Sequence, residues 1–284
     1  MQPYNQFVQY YEQLYRDGKK IPLGGFENAA KPQIAADAPK VLIFSPHPDD
    51  ECIIGALPLR LLREAKMRVI NVAVTQGSKQ ERQAERLAEL KRACEFMRYE
   101  LIQTHPNGLE RVNAKTREQD SGFWRESVAV IADILKRTAP KIVFFPHEQD
   151  WNSSHIGTHY LVTDALKSIP GFESYVVETE YWGANPQPNL MVQSTVQDVA
   201  DMVAGTSCHV GEVTRNPFHL FLPAWMQENV RRGSELVGGQ GKAAPDWTFA
   251  TLYRMRQWRK GGFEEVLPKG RLLPMGQDPA ALFS

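Results

Sequence analysis

Apolar positions along most of the 284-residue chain fall in short continuous blocks that alternate with stretches of helical spacing. Lys40 to Ser45 (KVLIFS), Arg68 to Thr75 (RVINVAVT), Lys141 to Pro146 (KIVFFP) and Ser174 to Trp182 (SYVVETEYW) read as strands, with a weaker one over Glu100 to Thr104. Between them, helices are predicted over 52–65, 79–97, 123–137 and 154–167. The clearest is 79–97, where Ala84, Leu87, Leu90, Cys94 and Met97 form one stripe. Strands that are apolar on both faces and alternate with helices imply a Rossmann-like α/β fold, a mostly parallel sheet with helices on both faces. An amphipathic helix over 4–17 precedes it, carrying Phe7, Tyr10, Tyr11 and Leu14, and a Gly/Pro/Ala-rich connector follows over 24–39.

After residue 196 the pattern loosens. A helix is expected over 196–205, a Phe/Pro-rich stretch over 216–224, a flexible loop at 238–241, and a tail from 267 extended on the surface. The expected organisation is an N-terminal helix and connector (1–39), one domain (40–255) and a C-terminal extension (256–284).

Composition narrows the classes. Lys plus Arg (33) balances Asp plus Glu (33), so there is no electrostatic case for a nucleic-acid binder. Three widely spaced cysteines, Cys52, Cys94 and Cys208, argue against a disulfide framework. No apolar run approaches the ~18 residues that a membrane span needs, and no leader pattern precedes the first helix. A cytoplasmic protein with no integral membrane segment is the expectation.

In open α/β sheets, ligands bind beyond the carboxyl ends of the strands. Two polar clusters fall there: Ser45-Pro46-His47-Pro48-Asp49-Asp50-Glu51, and 146–155 with its His147, Asp150, Asn152 and His155. Acidic residues opening a helix can simply cap it. Adjacent carboxylates beside an imidazole are also what a cation tolerates best, and a distant His completes a ligand set for catalytic zinc. The residue chemistry leaves both readings open.

The string His47-Pro48-Asp49-Asp50-Glu51 after an apolar strand resembles the first motif of the LmbE-like (PIG-L) zinc N-deacetylases, which hydrolyse N-acetylglucosamine-type amides. Thr75-Gln76-Gly77 is similar to that family's Thr-x-Gly turn. Arg86, Glu89 and Ala93 resemble its Arg-x-x-Glu-x-x-x-Ala helix, and His155-Ile156-Gly157-Thr158-His159 the helix bearing its distal His ligand. The resemblance covers about 40–255 and is weak beyond 196. It implies Zn2+ held by His47, Asp50 and His155, Asp49 as general base, active-site support or substrate contact from Arg86, which also reads as an exposed helix residue, and a substrate contact from Asn152. It also implies a small N-acetylated sugar conjugate as substrate.

The chain departs from the family at one place. Where the second motif commonly carries a His proposed as acid or oxyanion stabiliser, this sequence has Asn152. Asn can donate a hydrogen bond but cannot deliver a proton. The acid role then falls to protonated Asp49 or to another His, with His147, His159 and His209 as candidates. His159 also reads as a packing residue one turn after His155, and Trp151 as either a sugar-stacking or a packing ring. Glu51 and Cys52 read as capping and packing residues.

Two rival classes remain at this level. One is a phosphoryl-transfer enzyme holding Mg2+ on Asp49 and Asp50, against which the two histidines argue. The other is a non-catalytic sugar- or metal-binding relative, against which the retained Asp49 argues. The N-terminal segment and the 216–224 stretch shape either the pocket or a homo-oligomer interface; the sequence leaves both open.

Overall fold

The computed structural model describes residues 2–28 and 32–284. Met1 and residues 29–31 of the expected connector lie outside the described residues. Helix α1 (Pro3–Gly18) comes first, then β1 (Lys40–Ser45), α2 (Asp50–Ile53), α3 (Leu57–Arg63), β2 (Arg68–Ala73), α4 (Gln80–Met97) and β3 (Glu100–Gln103). The middle of the chain supplies α5 (Ala114–Gln119), α6 (Ser121–Thr138), β4 (Ile142–Pro146), α7 (Ser153–Lys167) and β5 (Ser174–Thr179). The last third adds β6 (Leu190–Ser194), α8 (Val196–Ser207), α9 (Val210–Arg215), α10 (Leu222–Leu236), β7 (Phe249–Arg259), β8 (Gly262–Glu265) and β9 (Arg271–Leu273).

The strands form one sheet in the order β3-β2-β1-β4-β5-β7-β6-β9, with β8 paired to β7. The five strands from β3 to β5 are parallel, and β7 runs antiparallel between β5 and β6. Both faces are covered, as the continuous apolar strands imply. Val41 and Ile43 of β1 pack into a core with α2, α3, α4 and α8, whereas Leu42 and Phe44 pack on the other face with α6 and α7. Each such side chain, fully buried, contributes roughly 1.5–3 kcal/mol. No helix among the described residues is long and apolar enough to cross a membrane.

The topology decides where a ligand can sit. From β1 the chain moves outward through β2 to β3, then returns to place β4 on the other side of β1. The strand order therefore reverses between β1 and β4, which is the crevice where open α/β sheets take ligands. Both polar clusters of the sequence open at that crevice.

Several expectations are revised. The single helix expected over 52–65 is two, because Gly55 has φ +90° and Tyr253 and Thr251 occupy the space a Cβ would need. The strand expected over 174–182 ends at Thr179, and Tyr181 beyond it lies beside Asp50 and His155. The Phe/Pro-rich stretch runs into α10, whose first turn contains Pro223, a residue well suited to a helix start. The tail is not a surface extension. Strand β7 runs through 255/256, Trp258 and Phe283 are buried, and β9 joins the sheet beside β6. Arg60, fully buried, holds this tail by donating to the carbonyls of Leu273, Pro274 and Gln277.

Candidate metal centre and its surroundings

The turn after β1 delivers His47, Asp49 and Asp50, and the turn after β4 delivers Asp150, Asn152 and His155. Across the crevice, one ligand atom each from His47, Asp50 and His155 lie within 4.8 Å of one another. Oδ2 of Asp50 is 3.4 Å from Nδ1 of His47 and 3.3 Å from Nε2 of His155. The same oxygen accepts the backbone N–H of His47 at 2.8 Å, which closes the turn. Nε2 of His155 is buried and has no hydrogen-bond partner among the described residues. A buried, unpartnered ring nitrogen aimed at a carboxylate and a second imidazole is a donor set that fits a zinc ion. The His47 side chain is 21% exposed against 4% for Asp50, so the site opens on the His47 side.

Behind the ring of His155, Nδ1 faces Oδ2 of Asp150 at 3.4 Å. Asp150 is itself fixed by accepting the Asn152 N–H at 2.9 Å. Burial disfavours charge here, yet the carboxylates overcome it. Burial opposes the charge on His155, but Asp50 and Asp150 push its pKa up to about 10. Burial likewise opposes the charge on Asp50, but His155 and then His47 hold its carboxyl well below the usual carboxylate range.

Asp49 is different. Burial, reinforced by the charge of Asp50, pushes its carboxyl well above the ordinary value, with His209 and Arg86 opposing. It precedes α2 but makes no side-chain cap bond to it, so its carboxylate is not spent on the helix terminus. Its backbone is also unusual, with φ 116°, a region rarely entered without glycine.

The other residues singled out in the sequence take definite places. Arg86 donates to the Pro48 carbonyl at 3.0 Å and its guanidinium fills the space beside Gly77, which has φ +83° and no room for a Cβ. Thr75 closes the same corner by donating its hydroxyl to the Pro46 carbonyl at 2.7 Å. Asn152 caps α7, accepting the Ser154 N–H at 2.9 Å through Oδ1.

Of the candidate acids, His147 Nε2 is hydrogen bonded to the Gly183 carbonyl at 2.9 Å and His159 Nδ1 to the Pro146 carbonyl at 3.1 Å. Burial pulls His159 down to about 4. His209 Nε2 is bonded to Glu51 at 2.7 Å. Trp151 is exposed.

Sequence reasoning gave no role to Asp150 or Tyr181. Asp150 lay inside the second cluster, but nothing in its spacing singled it out as the partner of His155. Tyr181 lies with Asp50 and His155 around a small space of about 20 Å3 under the site. Its ring packs on Phe218 and Trp225, and its hydroxyl donates to the Phe218 carbonyl. Phe218 of the 216–224 stretch thus backs Tyr181. On the open side, a cleft of about 360 Å3 runs from His47, lined by Thr75, Gln80, Gln83, Arg111, Asn113 and Ser154 among others.

Comparison with known proteins bears on the fold. No curated protein matches the sequence. Among solved structures, the N,N'-diacetylchitobiose deacetylase of Pyrococcus horikoshii is similar at TM-score 0.55 and 17% identity, covering 88% of this chain and 92% of its own. The zinc-inhibited form of the teicoplanin deacetylase Orf2 is similar at 0.53 and 14%, covering 78% and 98%. GalB, the 4-carboxy-2-hydroxymuconate hydratase of Pseudomonas putida KT2440, is similar at 0.53 and 15%, covering 76% and 95%. At these identities the likeness is one of fold. Residues 42–166, which hold both turns of the site, match the model of the GlcNAc-PI de-N-acetylase family. Over those residues the chain is similar to the GlcNAc-PI de-N-acetylase (PIG-L) family.

Proposed function

We propose that the protein is a zinc-dependent hydrolase that removes an N-acetyl group from an amino-sugar conjugate. The observation that carries this reading is the convergence of His47, Asp50 and His155 beside a buried carboxylate, Asp49, that caps nothing. The three converging residues would hold the ion, and zinc there would supply Lewis acidity and a water of lowered pKa. Asp49 takes a proton from the attacking water onto a carboxylate oxygen. His147, His159 and His209 each bond a protein partner through one ring nitrogen, and the return of a proton to the leaving amine nitrogen is assigned to the same Asp49, next in the chain to Asp50. Asn152 keeps its Nδ2 for an oxyanion or substrate carbonyl, since its cap uses Oδ1. Arg86 acts on the loop through the Pro48 carbonyl.

The cleft beside His47 supports a sugar. Its hydroxyl, amide and guanidinium lining offers donors and acceptors in several directions, which a polyhydroxylated ring can use. The deacetylases that share the fold act on diacetylchitobiose and teicoplanin by their names, and the family model is named for a GlcNAc conjugate. GalB shows that the fold also serves a hydratase. The test is acetate release from a panel of N-acetylated mono- and disaccharide conjugates, on protein of measured zinc content. Release that tracks zinc occupancy supports the reading. A zinc-loaded protein that frees no acetate from any of them but hydrates an unsaturated carboxylic acid would replace it with the hydratase reading.

A further inference from the structure

Asp49 sits in a backbone conformation that does not hold itself, and both edges of the peptide before it are gripped. The Pro48 carbonyl accepts from Nη2 of Arg86 at 3.0 Å, and the N–H of Asp49 donates to Oε2 of Glu51 at 3.1 Å. These two groups lie on opposite edges of one planar peptide, so the pair fixes its orientation and with it the φ of 116°. Oε1 of Glu51 is in turn bonded to Nε2 of His209 at 2.7 Å and accepts from Sγ of Cys52 at 3.3 Å. The Glu51 and His209 side chains are 0% and 1% exposed. A carboxylate that deep needs a partner to stay charged and in place.

His209 is presented by the connection between α8 and α9, outside the family-matched residues. Its position is set by contacts of α9 with α4. The N–H of Gly211 donates to Glu89 at 2.9 Å, Arg82 pairs with Glu212 at 2.9 Å, and a Cβ at Gly211 would overlap the Arg82 guanidinium.

We propose that His209 is a positioning residue for Asp49, acting through Glu51 to hold the Pro48–Asp49 peptide. The proposal rests on the reading of Asp49 as the base. Without His209, Glu51 loses the donor that orients it, its hold on the Asp49 N–H loosens, and the backbone relaxes out of the left-handed region. The carboxylate of Asp49 then shifts with its backbone, although none of the proposed metal ligands has changed.

The test compares His209→Leu with His209→Gln, which keeps an N–H donor for Glu51. Zinc content, a crystal structure, and kcat and KM on the acetylated sugar that the wild type turns over are measured on each. In His209→Leu the protein is expected to keep its zinc while the Pro48–Asp49 peptide rotates. Its kcat should fall about 10–100-fold with KM within about twofold, the scale of a small misplacement of a reacting group, and His209→Gln should recover most of the loss. Should His209→Leu not fold, Glu51→Gln/His209→Leu leaves no buried charge unpaired, and its peptide and kcat are compared with Glu51→Gln alone.

An unmoved Asp49 in the Leu variant, equal losses in the Leu and Gln variants, or a double variant equal to Glu51→Gln would overturn the proposal. Loss of a second equivalent of metal on changing His209 would overturn it too, since Glu51, Cys52 and His209 also lie within 4.8 Å of one another and would then be a metal site. If the wild type proves to be no deacetylase, the peptide rotation still reports on His209, so the two failures are distinguishable.

Discussion

Oδ2 of Asp150 stands 3.4 Å behind Nδ1 of His155, while Nε2 of the same ring faces Asp50 at 3.3 Å. The imidazole is thus oriented from the rear. A proton kept on Nδ1 toward Asp150 leaves the Nε2 lone pair for a cation, the arrangement by which a carboxylate fixes the tautomer of a metal-binding His. Gly183 packs against the Cα of Asp150 at the distance where a Cβ would crowd it, so the loop after β5 keeps this carboxylate in register.

Asp150→Asn keeps the shape of that side chain and removes its charge. The sheet core is untouched, so the fold should survive. Zinc affinity should fall about 10–100-fold, the usual effect of losing such an orienting partner, as measured by competition with a chromophoric chelator. Unchanged affinity would mean that the ring is oriented by packing alone.

The ion pair between His155 and Asp50 makes the metal-free protein pH-sensitive. The pKa of His155 is raised from 6.5 to about 10 in the fold. Its contribution is therefore fully present below about pH 6.5 and is lost as pH rises through about 10. Asp50 has the opposite sign: its lowered pKa stabilises above its ordinary 3.8 and the effect fades as pH falls below that. Zinc-stripped protein should accordingly lose resistance to urea between pH 7 and 10, and His155→Asn should flatten that slope. Zinc must also displace the proton of His155, so its affinity should rise about tenfold per pH unit over the same range.

Much of this candidate site is legible in the sequence because the proposed ligands sit in two short strings that each end an apolar strand. The β1 and β4 blocks are apolar throughout, which announces a doubly covered sheet, and the turns after them must open at one edge. What escapes is whatever depends on distant pairing. Nothing near residue 51 names His209, 158 positions on, and nothing in the 249–259 segment says that it inserts between β5 and β6. Its apolar residues are interrupted by arginines whose charges are met only in the fold, as Arg254 is by Glu265 and Arg256 by Glu178. The split between α2 and α3 was hidden for the same reason, because the residues that demand a bare Gly55 come from β7.

Gly55 gives a stability test of that contact. With φ +90° and with Thr251 and Tyr253 where a Cβ would go, Gly55→Ala must strain the backbone and push β7 away. Left-handed strain of about 1–2 kcal/mol and overpacking of about 1–3 kcal/mol should combine to a loss of roughly 2–5 kcal/mol in urea unfolding. Tyr253→Phe/Gly55→Ala should recover part of it, since the tyrosine hydroxyl is among the atoms met. A neutral Gly55→Ala would mean that β7 does not press on this turn.

The two adjacent carboxylates of the first motif separate base from ligand most directly. Asp49→Asn retains size and hydrogen-bonding shape but removes basicity. If Asp49 takes the proton of the attacking water, turnover should drop on the order of 10²–10⁴-fold while zinc content stays near that of the wild type. Asp50→Asn should behave otherwise, because Oδ2 of Asp50 is the atom that both His47 and His155 face. Replacing it with an amide weakens the site for zinc first, and activity follows occupancy. Excess zinc should then partly restore Asp50→Asn and leave Asp49→Asn inactive. The backbone argues in the same direction: Asp50 is anchored at the start of α2 by the His47 N–H, as a ligand must be, whereas Asp49 is held only through its peptide and keeps its carboxylate uncommitted. The reverse pattern, zinc lost from Asp49→Asn and retained without activity in Asp50→Asn, would exchange the two roles. An Asp49→Asn protein that turns over at the wild-type rate would remove the base from this mechanism, since no other carboxylate of the first motif is free to replace it: Glu51 is bonded to His209 and to the Asp49 N–H.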